Sequence, residues 1–144
     1  AGGVFPFAAF GLFLTWRIGL SIEQASDCED GIAEACRTLG ERRFERNKME
    51  DAHHYLERGC DLGDGESCLQ FGTLFDDDED FDQRISAWSR GCDLGNALSC
   101  YRLYLVEIES DGETVSSKPQ TLLERACDLG YRNACIDLRT NPDE

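Results

Sequence analysis

The sequence predicts an all-α fold, a solenoid of successive helix hairpins tied together by disulfides. Three observations carry that expectation. One segment recurs three times, as CDLGDGESC from Cys60 to Cys68, CDLGNALSC from Cys92 to Cys100 and CDLGYRNAC from Cys127 to Cys135. A degenerate copy, CEDGIAEAC, runs from Cys28 to Cys36, so all eight cysteines fall in four pairs with seven residues between partners. The copies follow one another at 32 to 35 residues, a period used by repeats made of two helices and a turn.

Eight cysteines admit about 105 pairings. Internal repetition selects one, because each copy should close its own pair: Cys28 with Cys36, Cys60 with Cys68, Cys92 with Cys100 and Cys127 with Cys135. Paired cysteines at this density call for an oxidising compartment. Structural zinc usually draws cysteines from tight C-x2-4-C turns, and the sequence has none.

Taken in order, the chain opens with an apolar segment over residues 1–22, uncharged from Val4 to Trp16 and expected to be helical. Pro6 stands near its start, where a helix tolerates proline. There is no initial Met, so the start is expected to be processed or to lie within a longer chain. Three readings are open. The segment spans a membrane, although about 20 apolar residues are usual. It is the hydrophobic core of a signal peptide. Or it is a helix docked on a partner protein or on the first repeat. In the membrane reading Trp16 and Arg17 sit at the interface, with Phe5, Phe7, Phe10, Leu12, Phe13 and Leu14 toward lipid. In the docking reading the same residues touch protein. The stretch LSIEQASDC up to Cys28 is similar to those before Cys60, Cys92 and Cys127. The apolar segment should therefore run unbroken into the second helix of a partial first repeat.

Residues 23–140 form the expected repeat domain. It comprises a partial repeat to 30, repeats over 31–63, 64–95 and 96–130, and a half repeat over 131–140, with a tail over 141–144. In each unit the first helix should begin near the second cysteine of a pair. Leu39, Phe71, Leu103 and Leu138 stand three places after Cys36, Cys68, Cys100 and Cys135, so cysteine and apolar residue share a face. Gly40 and Gly72 follow. Glycine inside a helix costs about 1 kcal/mol relative to alanine, and close helix packing is the expected reason for it. The second helix carries Tyr55 and Leu56, Ala87 and Trp88, or Leu122 and Leu123, four to five places before a cysteine. It ends at Asp-Leu-Gly, where Gly63, Gly95 or Gly130 can take the left-handed conformation that closes a helix. Each disulfide then ties the last turn of one helix to the first turns of the next, worth roughly 2–3 kcal/mol.

The loops between helices differ. Phe75 to Asp82 is short and acidic, whereas Glu109 to Pro119 is longer and polar, with Pro119 starting the next helix. The balance of 29 Asp and Glu against 14 Lys and Arg gives a net charge of −15. That field repels phosphate backbones and anionic head groups, which excludes nucleic acid and favours a basic or neutral protein surface. Much of the acid serves solubility.

Candidate sites are few. Asp76, Asp77, Asp78, Glu79 and Asp80 invite a calcium reading, but the glycine and glutamate that an EF-hand loop requires are replaced by Phe81 and Ala87. A solvated loop open to a partner protein is the better reading. His53 and His54 are neighbours about 100 degrees apart on a helix and cannot form the i, i+4 metal pair. No metal or cofactor is expected. S-x-x-K, S-D-N, K-T-G, G-x-S-x-G and phosphate loops are all missing, so no catalytic residue is assigned.

Leu39-Gly40, Phe71-Gly72, the AxxYL pattern of Ala52, Tyr55 and Leu56, and the terminal Cys-Asp-Leu-Gly segments resemble Sel-one-like repeats, a subclass of tetratricopeptide-type α/α repeats. Cysteines spaced eight apart across the inter-repeat turn resemble the cysteine-rich Hcp family of secreted bacterial proteins, and a mitochondrial intermembrane-space relative involved in respiratory-complex assembly. The resemblance covers roughly residues 20 to 140 and implies a right-handed α/α solenoid stapled by disulfides. It also implies a non-catalytic module that binds other proteins. The expected role is an accessory or assembly subunit of a membrane complex, held by the apolar segment on the periplasmic or intermembrane-space side. The alternatives are a secreted or soluble periplasmic immunity or inhibitor protein, and a β-lactamase-like or penicillin-binding enzyme, an activity ascribed to some cysteine-rich relatives.

Overall fold

The structure, a computed structural model, describes residues 24–75, 80–110 and 118–140. The apolar segment 1–22, the acidic run 76–79, the loop 111–117 and the tail 141–144 lie outside them. Residues 24–29 are helical and lead into seven helices: α1 (Ala33–Glu45), α2 (Met49–Asp61), α3 (Gly65–Thr73), α4 (Phe81–Asp93), α5 (Ala97–Glu109), α6 (Pro119–Asp128) and α7 (Arg132–Thr140). No strand occurs among the described residues.

The recurring segment builds a junction without a loop. Gly63 has φ 91° and donates its N–H to the Cys60 carbonyl, while the Asp64 N–H reaches back to Gly59. These two bonds form a Schellman close, which satisfies carbonyls that the helix end leaves free. Asp64 is at once the last residue of that close and the N-cap of α3, its carboxylate accepting from the Ser67 N–H at 3.0 Å. The same bonds recur at Gly95 and Asn96, with Asn96 capping α5 through Ser99 at 2.8 Å. They recur in backbone form at Gly130 and Tyr131, and at Gly31 and Ile32. The degenerate first copy keeps the turn because it keeps the glycine.

This geometry brings the cysteines together. The first of each pair falls in the last turn of one helix and the second in the first turn of the next. Disulfides join Cys28 to Cys36, Cys60 to Cys68, Cys92 to Cys100 and Cys127 to Cys135, with Cα separations of 4.5 to 4.7 Å. The helix starts differ slightly from expectation: α1, α3, α5 and α7 begin three residues before the second cysteine, directly after the residue that completes the Schellman close. Likewise Phe81 and Asp82 belong to the first turn of α4 and not to the acidic loop.

Hairpins α1–α2, α3–α4 and α5–α6 pack in succession, and α2–α3, α4–α5 and α6–α7 pack across the junctions. First helices also touch one another, α1 with α3 and α3 with α5, and so line one face of the stack. Glycines set the approach within hairpins. A Cβ at Gly40 would lie 2.5 Å from Leu56 Cγ, and one at Gly72 would lie 2.6 Å from Trp88 Cδ1 and Nε1. In the first two hairpins the second helix presses a buried side chain, Leu56 or Trp88, onto a first helix that has no side chain at that point. An arginine two places before Cys60, Cys92 and Cys127 adds a polar tie between repeats. Arg58 donates to the Cys28 and Glu29 carbonyls at 3.0 and 2.8 Å, Arg90 pairs with Asp61 at 2.7 Å, and Arg125 donates to the Asp93 carbonyl at 3.4 Å. Each meets the negative end of the preceding second helix.

A second tight contact crosses the junctions. Gly59 faces Ser67 and Gly91 faces Ser99, both serines being fully buried. In the third copy these two places are Ala126 and Ala134, also fully buried. Gly91→Ala is therefore expected to cost about 1–3 kcal/mol by overpacking against Ser99, whose Cβ would lie 3.0 Å from the new methyl. Adding Ser99→Ala should recover about 1 kcal/mol, because it makes room and removes a buried hydroxyl that has no hydrogen-bond partner among the described residues. Urea midpoints of the single and double variants check this. An unchanged midpoint for Gly91→Ala would contradict it.

Candidate protein-binding face

The first-helix face carries a groove of about 540 Å³. Its shape follows from helix length. α1 and α5 have 13 residues each, while α3 between them has 9 and stops about 6 Å sooner. Leu56 and Leu69 form the floor. Phe44, Leu74 and Leu98 form apolar walls, one from each of α1, the end of α3 and α5. Phe44 is 52% exposed, a large solvent-facing aromatic on the groove rim.

The polar residues of the groove are unequally satisfied. Glu41 accepts from Gln70 at 2.8 Å and pairs with Arg37 at 3.4 Å. Glu45, on the α1 side, makes no ion pair or hydrogen bond with another described side chain, and neither does Arg102 on the α5 side, whose guanidinium stands 5.9 Å from the Trp88 ring centroid. Both are exposed. The groove thus has an anion on its α1 side, a cation on its α5 side and apolar walls between. This arrangement suits a side-chain-bearing segment of another molecule. The Thr73 hydroxyl in the groove lining donates to the Leu69 carbonyl at 2.8 Å.

The sites weighed from sequence fall elsewhere. His53 is half-buried and edge-on to Phe75 and Phe71, with ring centroids 4.8 and 5.5 Å away, while His54 is exposed beside Tyr55. The two histidines point into different surroundings. Among the described residues no group of His, Cys, Asp and Glu could hold a metal ion. Asp80 accepts from Gln83 at 3.1 Å, and the other four acidic residues, Asp76, Asp77, Asp78 and Glu79, lie outside the described residues. So do Phe5, Phe7, Phe10, Leu12, Phe13, Leu14, Trp16 and Arg17. Among the described residues no helix is long and apolar enough to cross a membrane. Apart from Leu56, which is a repeat position, the groove residues were missed in the sequence because they follow no repeat. The one available signal was Phe44 itself, a bulky apolar residue set among Glu41, Arg42, Arg43 and Glu45 at a helix end.

A polar contact closes the far end of the stack. Tyr101 donates its hydroxyl to Asp137 on α7 at 2.7 Å, with the Tyr131 ring centroid 4.8 Å away and tilted by 45°. The bond to the Asp137 carboxylate, with partial burial, pushes the Tyr101 phenol up to about 12. A raised phenol pKa favours the neutral folded form. The stability it contributes is complete below about pH 10 and is lost as pH rises toward 12. Absorbance titration of the four tyrosines should show one ionising near 12, and Tyr101→Phe should remove that step. Four indistinguishable titrations near 10 would contradict the contact.

No family model and no curated protein matches the chain. Solved structures do. A Sel1 repeat protein from Oxalobacter formigenes superposes with a TM-score of 0.71 at 17% identity, over 83% of this chain and 96% of that one. The cysteine-rich protein B of Helicobacter pylori gives a TM-score of 0.61 at 21% identity, over 85% and 92%. The fold is that of cysteine-rich Sel1-type repeats.

Proposed function

We propose that the chain is a non-catalytic scaffold that binds another protein through its first-helix face. The groove between α1, α3 and α5, with Phe44 exposed on its rim, is the observation that carries this reading. Exposed aromatics beside an apolar depression are the usual anchors of protein interfaces. Disulfides at every junction support the reading, because a braced solenoid presents its face with little ordering cost on binding. The four bonds support an oxidising, extracytoplasmic compartment.

A role as an accessory or assembly subunit of a membrane complex rests on the uncharged run from Val4 to Trp16. Flotation with liposomes tests that part. The full chain should float and a chain starting at Gln24 should not. If neither floats, the segment docks on protein. The interaction reading is tested by photo-cross-linking from position 44 in the native compartment, compared with position 57 on the opposite helix of the same hairpin. A discrete adduct specific to position 44 is expected. Equal labelling from both positions would count against the first-helix face.

A further inference from the structure

The unpaired ends of the groove carry directional information. We infer that it takes a linear segment of a partner protein in one orientation, with a basic side chain at Glu45, an acidic side chain at Arg102 and large apolar side chains between. This deepens the interaction reading and rests on it. Glu45 and Arg102 line the same groove on different helices, both are exposed, and neither forms an ion pair among the described residues. The other groove acid, Glu41, is already held by Gln70 and Arg37, so it has less to offer a ligand. α1 and α5 are separated by α3, two interhelical spacings or about 16–20 Å. An extended chain covers that span in about five or six residues. The occupant is therefore a short peptide segment of the order basic, apolar, acidic. Phe44, Leu74 and Leu98 supply the contact area, and the two charges set its direction.

The fold favours a peptide over a compact small molecule. The charges stand on different helices, α1 and α5, on either side of α3, and the walls come from three successive repeats. The order of charges also separates this segment from a merely basic ligand drawn by the net charge of −15, which would be indifferent to Arg102.

The test is selection from a random dodecapeptide display library on the oxidised full chain, followed by fluorescence anisotropy on the enriched peptides. Enriched sequences should place Lys or Arg five or six residues from Asp or Glu, with Leu, Phe or Trp between, in a single chain direction. In the double variant Glu45→Lys with Arg102→Glu, both substitutions are on exposed side chains and the fold is kept, as circular dichroism verifies. Binding of the original peptides should weaken roughly tenfold, and selection on the variant should return the reversed order. Peptides with no charge order, or with affinity indifferent to the charge swap, would overturn the inference while leaving the protein-binding reading intact. Failure to enrich any peptide also overturns it, and the position 44 cross-link then decides the broader reading separately.

Discussion

Reduction of all four disulfides is expected to unfold the repeat domain at 25 °C. Each bond closes a short loop across a junction, and loop-closure entropy for this size is worth about 2–3 kcal/mol. Four such contributions approach 10 kcal/mol, comparable to the whole stability of a domain this size. The loss cannot be confined, because every pair of neighbouring repeats carries one bond, and a repeat buries its apolar face only against its neighbours. The order of reduction follows exposure. Cys127 and Cys135 are half-buried, whereas the other six cysteines are at most 3% exposed. A phosphine reductant should therefore open the bond between α6 and α7 first, and the remaining three only as the domain unfolds. Far-ultraviolet circular dichroism read against thiol titration checks both parts. Helicity should hold while two thiols appear and collapse as the rest follow. Eight free thiols with undiminished helicity would contradict the expectation.

Trp88→Ala is expected to be the most damaging single substitution, at about 3–5 kcal/mol. The indole is 6% exposed and sits where α3, α4 and α5 meet. Its ring covers Gly72, and its Nε1–H donates to the Leu69 carbonyl at 3.3 Å. The guanidinium groups of Arg84 and Arg102 stand 5.7 and 5.9 Å from its centroid. Truncation removes apolar burial, a buried hydrogen bond and two cation–π contacts, and leaves a cavity beside a glycine that cannot fill it. Trp88→Phe keeps most of the volume and loses the donor, so it should cost about 1–2 kcal/mol. Chemical denaturation of the three proteins checks the ranking. Equal stability of Trp88→Ala and Trp88→Phe would contradict it.

The fold was legible in the sequence because the junction is a local structure. A glycine that can adopt positive φ, a capping residue after it and two cysteines one turn either side are all encoded within nine residues. Repetition then supplies the tertiary contacts, since Leu56 and Trp88 recur four places before a cysteine and meet Gly40 and Gly72. Gly59 and Gly91 were less visible. Their reason is Ser67 or Ser99 on the next repeat, and only the alanines at Ala126 and Ala134 hint at the coupling. The groove was hidden because it depends on non-repeating features: the short α3, the bulk of Phe44 and the charges at Glu45 and Arg102. A repeat pattern reports what successive units share, whereas a binding face is made of what they do not.

The most direct test of a stack stitched junction by junction is the disulfide map of the protein itself. A tryptic digest under non-reducing conditions should give peptides 18–37, 59–84 and 91–102, each two hydrogens lighter than its reduced form, and a linked pair formed by 126–132 and 133–139. Any cross-link between cysteines of different junctions, or free thiols in the native protein, would contradict it.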